Sequence, residues 1–143
     1  MINIYRTDDR IISELEEFEP GAWINLTAPT LEECADIADK FNMDVADVRA
    51  ALDDEESSRI SLEAGVVITV CSEETSVLRG FVEHRVRDFS TKKQMKFVYQ
   101  ILYNACMVYQ SLLRNIDRKR TELEERIEDD MEDIDLIDLH ELE

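Results

Sequence analysis

The chain has 143 residues, of which 34 are acidic and 16 are basic, so its formal net charge is −18 at pH 7 and its pI is about 4.4. This negative charge opposes binding to nucleic acids or anionic lipids through bulk electrostatics. The length fits one domain, or one domain with an extension. A hydrophobic fraction of 44% is sufficient for a core, and the low glycine and proline content favours helices over a turn-rich β fold.

The first 26 residues predict two strands, with an undecided segment between them. Residues 2–5 alternate apolar and polar side chains, which is typical of an edge strand. Residues 11–18 mix the periods of a strand and a helix, so both remain open there. Pro20 and Gly21 predict a turn. Residues 22–26, which read Ala-Trp-Ile-Asn-Leu, predict the strand that follows it.

Two helices are predicted next. Thr30 and Glu33 have the spacing of a capping box, in which each side chain bonds the backbone N–H of the other residue. Apolar residues three and four apart continue to residue 41, and Asn42 is predicted to end this helix. Asp44 is predicted to cap a further helix over residues 45–52. A polar, mostly acidic loop over residues 53–58 follows it.

The middle of the chain predicts two more strands and a helix. Residues 59–62 predict a strand, residues 63–65 a hairpin tip, and residues 66–70 a strand of β-branched apolar residues covered on both faces. A helix after Thr75 is predicted to end at residues 88–90. Its inward side chains are predicted to be Val77, Leu78, Phe81, Val82 and Val86.

A long helix is predicted from Thr91 to about residue 143, opened by a second capping-box spacing between Thr91 and Gln94. No glycine or proline interrupts it. Apolar residues four and three apart form a stripe on one side, which predicts a surface that needs a partner. The stripe consists of Val98, Leu102, Ala105, Tyr109, Leu112 and Ile116, continued by Leu123, Ile127, Met131 and Ile134.

The order of these elements predicts an α/β fold, a three-layer α/β/α sandwich with a mixed sheet and a projecting acidic helical arm. We expect residues 1–90 to form the α/β domain and residues 91–143 to form the arm, either as one long helix or as a helical hairpin.

The end of the chain is strongly acidic. From Thr121 onward there are twelve acidic residues against Arg126, a net charge of −11. Blocks of like charge are commonly solvated faces or frayed tails. The alternative is an arm that gathers hard cations such as Mg²⁺ through carboxylate oxygens and retained waters. Asp129, Asp130 and Asp133 are the candidate ligands, although they lack the pattern of an EF-hand loop.

Enzyme motifs are absent from the sequence, so we do not expect an enzyme. Cys71 and His84 could form a nucleophile and base, a weak hypothesis because nothing orients them. The three cysteines, which include Cys34 and Cys106, are predicted to be buried free thiols in a reducing cytosol. No apolar run approaches the length of a membrane span, and the first residues lack the pattern of a secretory signal.

Two segments resemble the cytosolic domain of the CorA-type divalent-cation transporters. One is Ala-Trp-Ile-Asn-Leu-Thr-Ala-Pro-Thr-Leu-Glu-Glu over residues 22–33. The other is Ala-Leu-Asp-Asp-Glu-Glu-Ser-Ser-Arg-Ile over residues 51–60, which is similar to a Leu-Asp-x-x-Glu-x-x-Arg stretch of that family. The resemblance implies an α/β/α sandwich with an acidic helical hairpin. It also implies a pentamer whose stalk helix leads into the membrane in the full-length proteins.

The sequence departs from that family in three ways. The Gly-Met-Asn signature of the pore is absent, so this chain is not expected to conduct ions. The family carries further strands between the segments that match residues 63–65 and 66–70, and these strands are also absent here. They were either deleted in this protein or left out of the given chain. We expect the second, in which case the link at Gly65–Val66 is not native. Ala50 stands where some members have an acid for a regulatory cation, and Asp53 and Asp54 are the nearest substitutes.

The first functional hypothesis is therefore a regulatory domain of a Mg²⁺/Co²⁺ transporter at the cytoplasmic face of the cell membrane. It would sense divalent cations, Mg²⁺ above all, through acidic surfaces between the protomers of a homo-oligomer. Its partners would be these cations and the transmembrane region of the full-length protein, and not nucleic acid. The alternative is a soluble helical scaffold or partner-binding module whose apolar stripe packs on another helix.

Overall fold

The computed structural model describes residues 1–52 and 58–141, and it describes the side chains of the last helix as far as residue 127. The chain forms two compact units. The first is Met1–Asn104, and the second begins at Ala105. Among the described residues, the first unit contains five strands, three short helices and the start of the last helix, and the second unit consists of the rest of that helix.

The elements follow the predicted order, except that a strand forms at Ile11–Leu15, where the sequence left strand and helix open. The strands are β1 (Ile2–Asp8), β2 (Ile11–Leu15), β3 (Trp23–Thr27), β4 (Arg59–Glu63) and β5 (Val66–Cys71). The helices are α1 (Leu31–Phe41), α2 (Val45–Ala50), α3 (Ser76–Val82) and α4 (Gln94–Glu141).

The five strands form one mixed sheet in the order β2-β1-β3-β5-β4. Strands β3 and β5 are parallel, with Ile24 opposite Ile68, and the other neighbours are antiparallel. The fold is therefore α/β with a mixed sheet, as predicted. The prediction that residues 2–5 form an edge strand is wrong, because β2 pairs with β1 on its outer side. Alternation shows which residues share a face, and it does not show which strands pair.

A two-residue turn joins β4 directly to β5. Glu63 pairs with Val66, and the residues between them, Ala64 and Gly65, have φ angles of 45° and 81°. Positive φ at both central positions is typical of a tight hairpin turn, and Gly65 adopts it without strain. The backbone N–H of Gly21 also donates to the Gly65 carbonyl over 2.9 Å. The expectation of a link at Gly65–Val66 that is not native is therefore wrong.

Two hydrophobic clusters form the core of the first unit. One contains Ile24 and Ile68 of the sheet together with Ile37 of α1 and Val48 of α2. The other consists mainly of aromatic residues around a fully buried tryptophan. All six residues of β5 are buried, and alternate ones belong to different clusters. The second cluster consists of Trp23, Val67, Cys71, Leu78, Phe81, Phe89, Phe97 and Ile101.

Helix α1 is capped as predicted. The Thr30 hydroxyl accepts from the Glu33 N–H over 3.1 Å, and the Glu33 carboxylate accepts from the Thr30 N–H over 2.8 Å. Asn42 ends the helix in the left-handed conformation, with φ of 52°. Asp44 caps α2 by accepting from the backbone N–H of Ala46. Short polar side chains at these positions satisfy backbone groups that a helix leaves unpaired.

The last two helices differ from prediction at their ends. Helix α3 ends at Val82, so Val86, predicted to be inward on this helix, lies beyond it. The capping box at Thr91 is wrong, since α4 begins at Gln94 and the Thr91 hydroxyl bonds elsewhere. It accepts from the backbone N–H of Thr7 over 3.1 Å, while the Thr91 N–H donates to the Thr7 hydroxyl over 2.9 Å. A contact 84 residues apart in sequence has replaced the local one.

Candidate metal site

The five predicted metal ligands fall into two groups, and the structure describes the side chains of neither. Asp53 and Asp54 lie outside the described residues, between the end of α2 and the start of β4. Asp129, Asp130 and Asp133 belong to α4, where only the backbone is described. The assignment of these residues to a metal site therefore stays a prediction.

An acidic cleft lies beside the turn between α1 and α2. It has a volume of about 520 Å³ and lies between the ends of α1 and α2 and strand β4. Within it the Asp47 carboxylate accepts from the Arg59 guanidinium over 3.2 Å. The residues that line the cleft are Asn42, Met43, Asp44, Asp47, Arg59, Ile60, Ser61 and Glu63.

The cleft does not by itself provide a metal centre. Asp44 already accepts from the backbone N–H that it caps, and Asp47 already pairs with Arg59. Across residues 1–52 and 58–127, no three histidine, cysteine or acidic side chains are grouped so that they could hold a metal ion. The sequence signalled Asp44 only as a helix cap, so its place on the wall of this cleft was not predicted.

A second cavity, of about 370 Å³, lies between the sheet and α3. Partial burial, and then the nearby Glu14 and Glu74 carboxylates, raise the pKa of the Tyr5 hydroxyl in its wall. The Glu74 carboxylate also accepts from the Arg79 guanidinium over 2.9 Å. These groups do not form a nucleophile with its base, so the cavity supports no catalytic assignment.

Polar side chains beneath the second cavity satisfy one another. The Trp23 indole N–H donates to the Thr69 hydroxyl over 2.8 Å, and that hydroxyl donates to the Asn25 side-chain oxygen over 2.8 Å. The Asn25 amide N–H then donates to the Thr27 hydroxyl over 3.3 Å. Because each donor in this hydrogen-bond network has an acceptor, we assign the network a structural role in fixing how the side chains pack.

The cysteines do not support a thiol enzyme. Burial raises the pKa of the Cys71 thiol, although a hydrogen bond with Ser58 acts in the opposite direction. A raised pKa disfavours the thiolate that a nucleophile requires. His84 lies in the turn after α3 and is exposed. Cys34 and Cys71 are buried free thiols as predicted, but Cys106 is exposed, so the prediction of burial is wrong for that residue.

The predicted apolar stripe of α4 is exposed at Leu102 and at its described members from Tyr109 to Ile127. The residues of this helix that are buried in the aromatic cluster, Phe97 and Ile101, are not members of the stripe. From residue 111 to residue 127, every side chain is exposed. The large apolar side chains that remain in contact with solvent on this helix are Met95, Tyr99, Leu102, Tyr103, Met107, Tyr109, Leu112, Leu113, Ile116, Leu123 and Ile127.

Two solved structures are similar to this chain. The complete structure of the CorA magnesium transporter from Methanocaldococcus jannaschii matches it with a TM-score of 0.67 and 16% identity, over 88% of this chain and 50% of that chain. The structure of the soluble domain of CorA from the same organism matches with a TM-score of 0.68 and 17% identity, over 88% of this chain and 64% of that chain. The chain thus spans about half of the transporter and under two thirds of the soluble domain.

The resemblance to CorA seen in the sequence is confirmed at the level of the fold. Sequence comparisons add nothing to it, since the chain matches no protein-family model and no curated protein. Among the described residues, none of the helices combines the length and the apolar character needed to cross a bilayer.

Proposed function

We propose that this chain is a non-enzymatic cytosolic regulatory domain of a CorA-like transporter of divalent cations such as Mg²⁺ and Co²⁺. The observation that carries the proposal is the likeness of the fold to the CorA soluble domain over 88% of the chain. The excess of carboxylates supports it, because carboxylate oxygens are the ligands that Mg²⁺ prefers. The domain would act at the cytoplasmic face of the membrane.

The proposed architecture is a three-layer α/β/α sandwich from which the acidic end of α4 extends as an arm. Alternate burial of the residues of β5 into two clusters supports the layers. The exposure of every side chain from residue 111 to residue 127 supports the arm. In the proposed assembly, several copies would form a homo-oligomer that presents these acidic surfaces to one another.

The proposed mechanism is a linkage between cation binding and assembly. Acidic surfaces of neighbouring protomers repel one another, and this repulsion is large for a chain whose net charge is −18. A divalent cation bound between two such surfaces removes the repulsion and stabilises the symmetric state. Asp53 and Asp54 in the loop, and Asp129, Asp130 and Asp133 on the arm, would supply the ligands.

Sedimentation and thermal unfolding test this proposal. The chain is compared in millimolar MgCl₂ and in NaCl of the same ionic strength, because simple screening depends on ionic strength alone. We expect Mg²⁺ to raise the Tm and the mean mass beyond the NaCl control, since a ligand that binds only the folded or assembled state stabilises it. Equal responses in the two salts would show that specific cation sensing is wrong.

The second candidate function is a soluble scaffold or partner-binding module. The exposed apolar stripe of α4 favours it, because a large apolar surface in contact with solvent marks an interaction site. A module of this kind would associate through the stripe whether or not divalent cations are present. Association that is unchanged by EDTA, together with no Mg²⁺-specific change in Tm, would favour this candidate over the first.

A further inference from the structure

Strand β4 forms one edge of the sheet. It is the last strand in the order β2-β1-β3-β5-β4, so within residues 1–52 and 58–141 no strand lies beyond it. Natural proteins often protect such an edge with lysine, proline or a β-bulge. The sequence of β4, Arg-Ile-Ser-Leu-Glu, contains neither lysine nor proline, and its pairing with β5 contains no bulge. Its outer side can therefore pair with another extended chain.

The register of the β4–β5 hairpin shows which backbone groups of β4 face outward. Glu63 and Val66 flank the two-residue turn and lie opposite each other. In such a hairpin the flanking pair exchanges both hydrogen bonds, and bonded pairs then alternate with non-bonded pairs along the strands. Ser61 therefore bonds β5, whereas the N–H and C=O groups of Ile60 and Leu62 point away from it. The open edge presents two donors and two acceptors to an added strand.

The acidic cleft is bounded on one side by β4. Arg59, Ser61 and Glu63, which share one face of the strand, line it together with Asp47 and residues 42–44. Side chains alternate between the two faces of a sheet, so every second side chain of an added strand would lie on the cleft side. The cleft therefore provides space for side chains of a segment that pairs with β4.

The charge of the cleft determines which segments fit. Its lining has three carboxylates, those of Asp44, Asp47 and Glu63, against the guanidinium of Arg59, a net charge of −2. Arg59 pairs with Asp47, so added basic groups would meet Asp44 and Glu63. A second copy of this chain, at −18, is repelled overall, whereas a basic segment is attracted. We propose that the open edge of β4 binds an extended basic segment of a partner protein, which adds a strand and directs Lys or Arg side chains into the cleft.

Amide hydrogen exchange of the full chain in EDTA tests the added strand. The probe is a peptide with blocked ends that alternates lysine and valine and is long enough to span β4. It should slow exchange at the Ile60 and Leu62 N–H groups roughly tenfold or more, because these groups gain acceptors. The Ser61 N–H, which already bonds β5, is the internal control and should not change. Unchanged exchange at Ile60 and Leu62 with saturating peptide would overturn the proposal.

A proline substitution separates backbone pairing from side-chain contact. The Leu62 N–H faces outward, so proline at this position removes a donor from the edge and leaves the ladder to β5. Leu62→Pro should weaken binding of the lysine peptide roughly tenfold or more in titration calorimetry. Leu62→Ala keeps the N–H and should weaken it less than about threefold. Equal weakening in two variants with the Tm of folded protein would overturn the proposal.

Modified peptides make the same test with the wild-type chain, so it does not depend on the folding of a variant. Only alternate N–H groups of an added strand face its neighbour. Methylating the backbone nitrogens of one alternate set should weaken binding roughly tenfold or more, and methylating the other set should change it little. Equal effects of the two sets would show that the peptide does not pair with β4 as a strand.

Charge variants test the preference for a basic segment. The lysine peptide should bind roughly tenfold more tightly than a peptide with glutamate in place of lysine. Asp44→Asn with Glu63→Gln should reduce this preference to less than about threefold, and asparagine still caps α2. Glu32→Gln with Asp36→Asn on α1 makes the same change in net charge and should keep the preference. Equal loss in both variants would overturn the proposal.

Sedimentation equilibrium in EDTA tests the alternative occupant of the edge. We expect the lysine peptide to bind without any change in the number of copies of the chain. Self-association that Leu62→Pro abolishes, with no binding of the lysine peptide, would assign the edge to a second copy and overturn the proposal. Since EDTA is present throughout, these results are independent of the proposed cation sensing.

Discussion

Two threonines join the ends of the first unit through reciprocal hydrogen bonds. Each of Thr7 and Thr91 uses its hydroxyl to accept the backbone N–H of the other, and the relative exposure of the two residues is 4% and 0%. Lys92 follows with an ion pair to Asp8, a contact of 2.5 Å that holds the pKa of this carboxyl below its usual range. This pair ties strand β1 to the segment that leads into α4.

Thr91→Val tests the threonine pair. The substitution leaves the Thr7 N–H buried without its acceptor, so we expect the free energy of unfolding in urea to fall by about 1–3 kcal/mol. Thr121→Val is the control, because that hydroxyl is exposed and donates to the Asp117 carbonyl within α4 over 3.1 Å. A loss for Thr91→Val no greater than that of the control would show that water replaces the missing acceptor.

Glu33 makes stability depend on pH at the start of α1. Its carboxylate accepts from the Thr30 N–H, and then from the N-terminal ammonium, which together hold its pKa below the usual 4.5. A pKa that is lower in the folded state gives stability that is present above 4.5 and is lost as the pH falls through the folded value. Glu33→Gln should therefore lower the free energy of unfolding by less than about 1 kcal/mol at neutral pH, because the site is solvated.

The difference between wild type and Glu33→Gln should disappear at acidic pH, where the wild-type carboxyl is also neutral. Urea unfolding of both proteins across the acid range measures this convergence. A difference that stayed constant with pH would assign the effect to the geometry of the cap and not to its charge.

At the scale of the elements, the start of α4 packs into the aromatic cluster mainly through Phe97, with Ile101 beside it. Phe97 is fully buried, and its ring centroid lies 5.1 Å from Trp23, 5.1 Å from Phe81 and 4.7 Å from Phe89. Phe97→Ala should lower the free energy of unfolding by about 3–5 kcal/mol, since it removes a large side chain and leaves a cavity. Chemical denaturation followed by Trp23 fluorescence measures the change directly at the cluster.

The matched control is Tyr99→Ala, two residues along the same helix, where the ring is 65% exposed. Both substitutions alter helix propensity in the same direction, so their difference isolates the buried contacts. We expect the control to change stability by about 0.5 kcal/mol or less. Equal effects of the two substitutions would contradict the role given to the aromatic cluster.

Local signals in the sequence predicted most of the elements. The capping box at Thr30 and the β-branched run of β5 each depend on residues a few positions apart, and both predictions are confirmed. The prediction failed where a distant residue decided the outcome. Thr91 has the spacing of a helix cap, but its hydroxyl accepts from the backbone N–H of Thr7. That N–H is buried and requires an acceptor, which Thr91 supplies from 84 residues away in the sequence.

The candidate site was harder to predict than the fold. The acidic segments indicate a preference for cations, but a metal site needs oxygens at fixed positions, and composition does not determine those positions. Asp47 illustrates this, since its pairing with Arg59 could not be read from either segment alone. The likeness to CorA supports the fold, and the identity of the metal ligands remains a proposal.

At the scale of the molecule, charge is unevenly distributed along the chain. The residues from Thr121 onward carry −11, and the other 120 residues carry the remaining −7. Cations should therefore accumulate most at the acidic end, where the local potential is greatest. Removing charge there should have a larger effect on Mg²⁺ binding than removing the same charge from the first unit.

Asp129→Asn, Asp130→Asn and Asp133→Asn together test this distribution. Titration calorimetry with Mg²⁺ at constant ionic strength should show roughly tenfold weaker binding, because affinity for a hard cation follows the number of charged ligands. The control with the same net charge is Glu32→Gln, Asp36→Asn and Asp39→Asn on α1, which should bind Mg²⁺ as the wild type does. Equal weakening in both variants would mean that Mg²⁺ responds to total charge, and the arm would then hold no specific cation site.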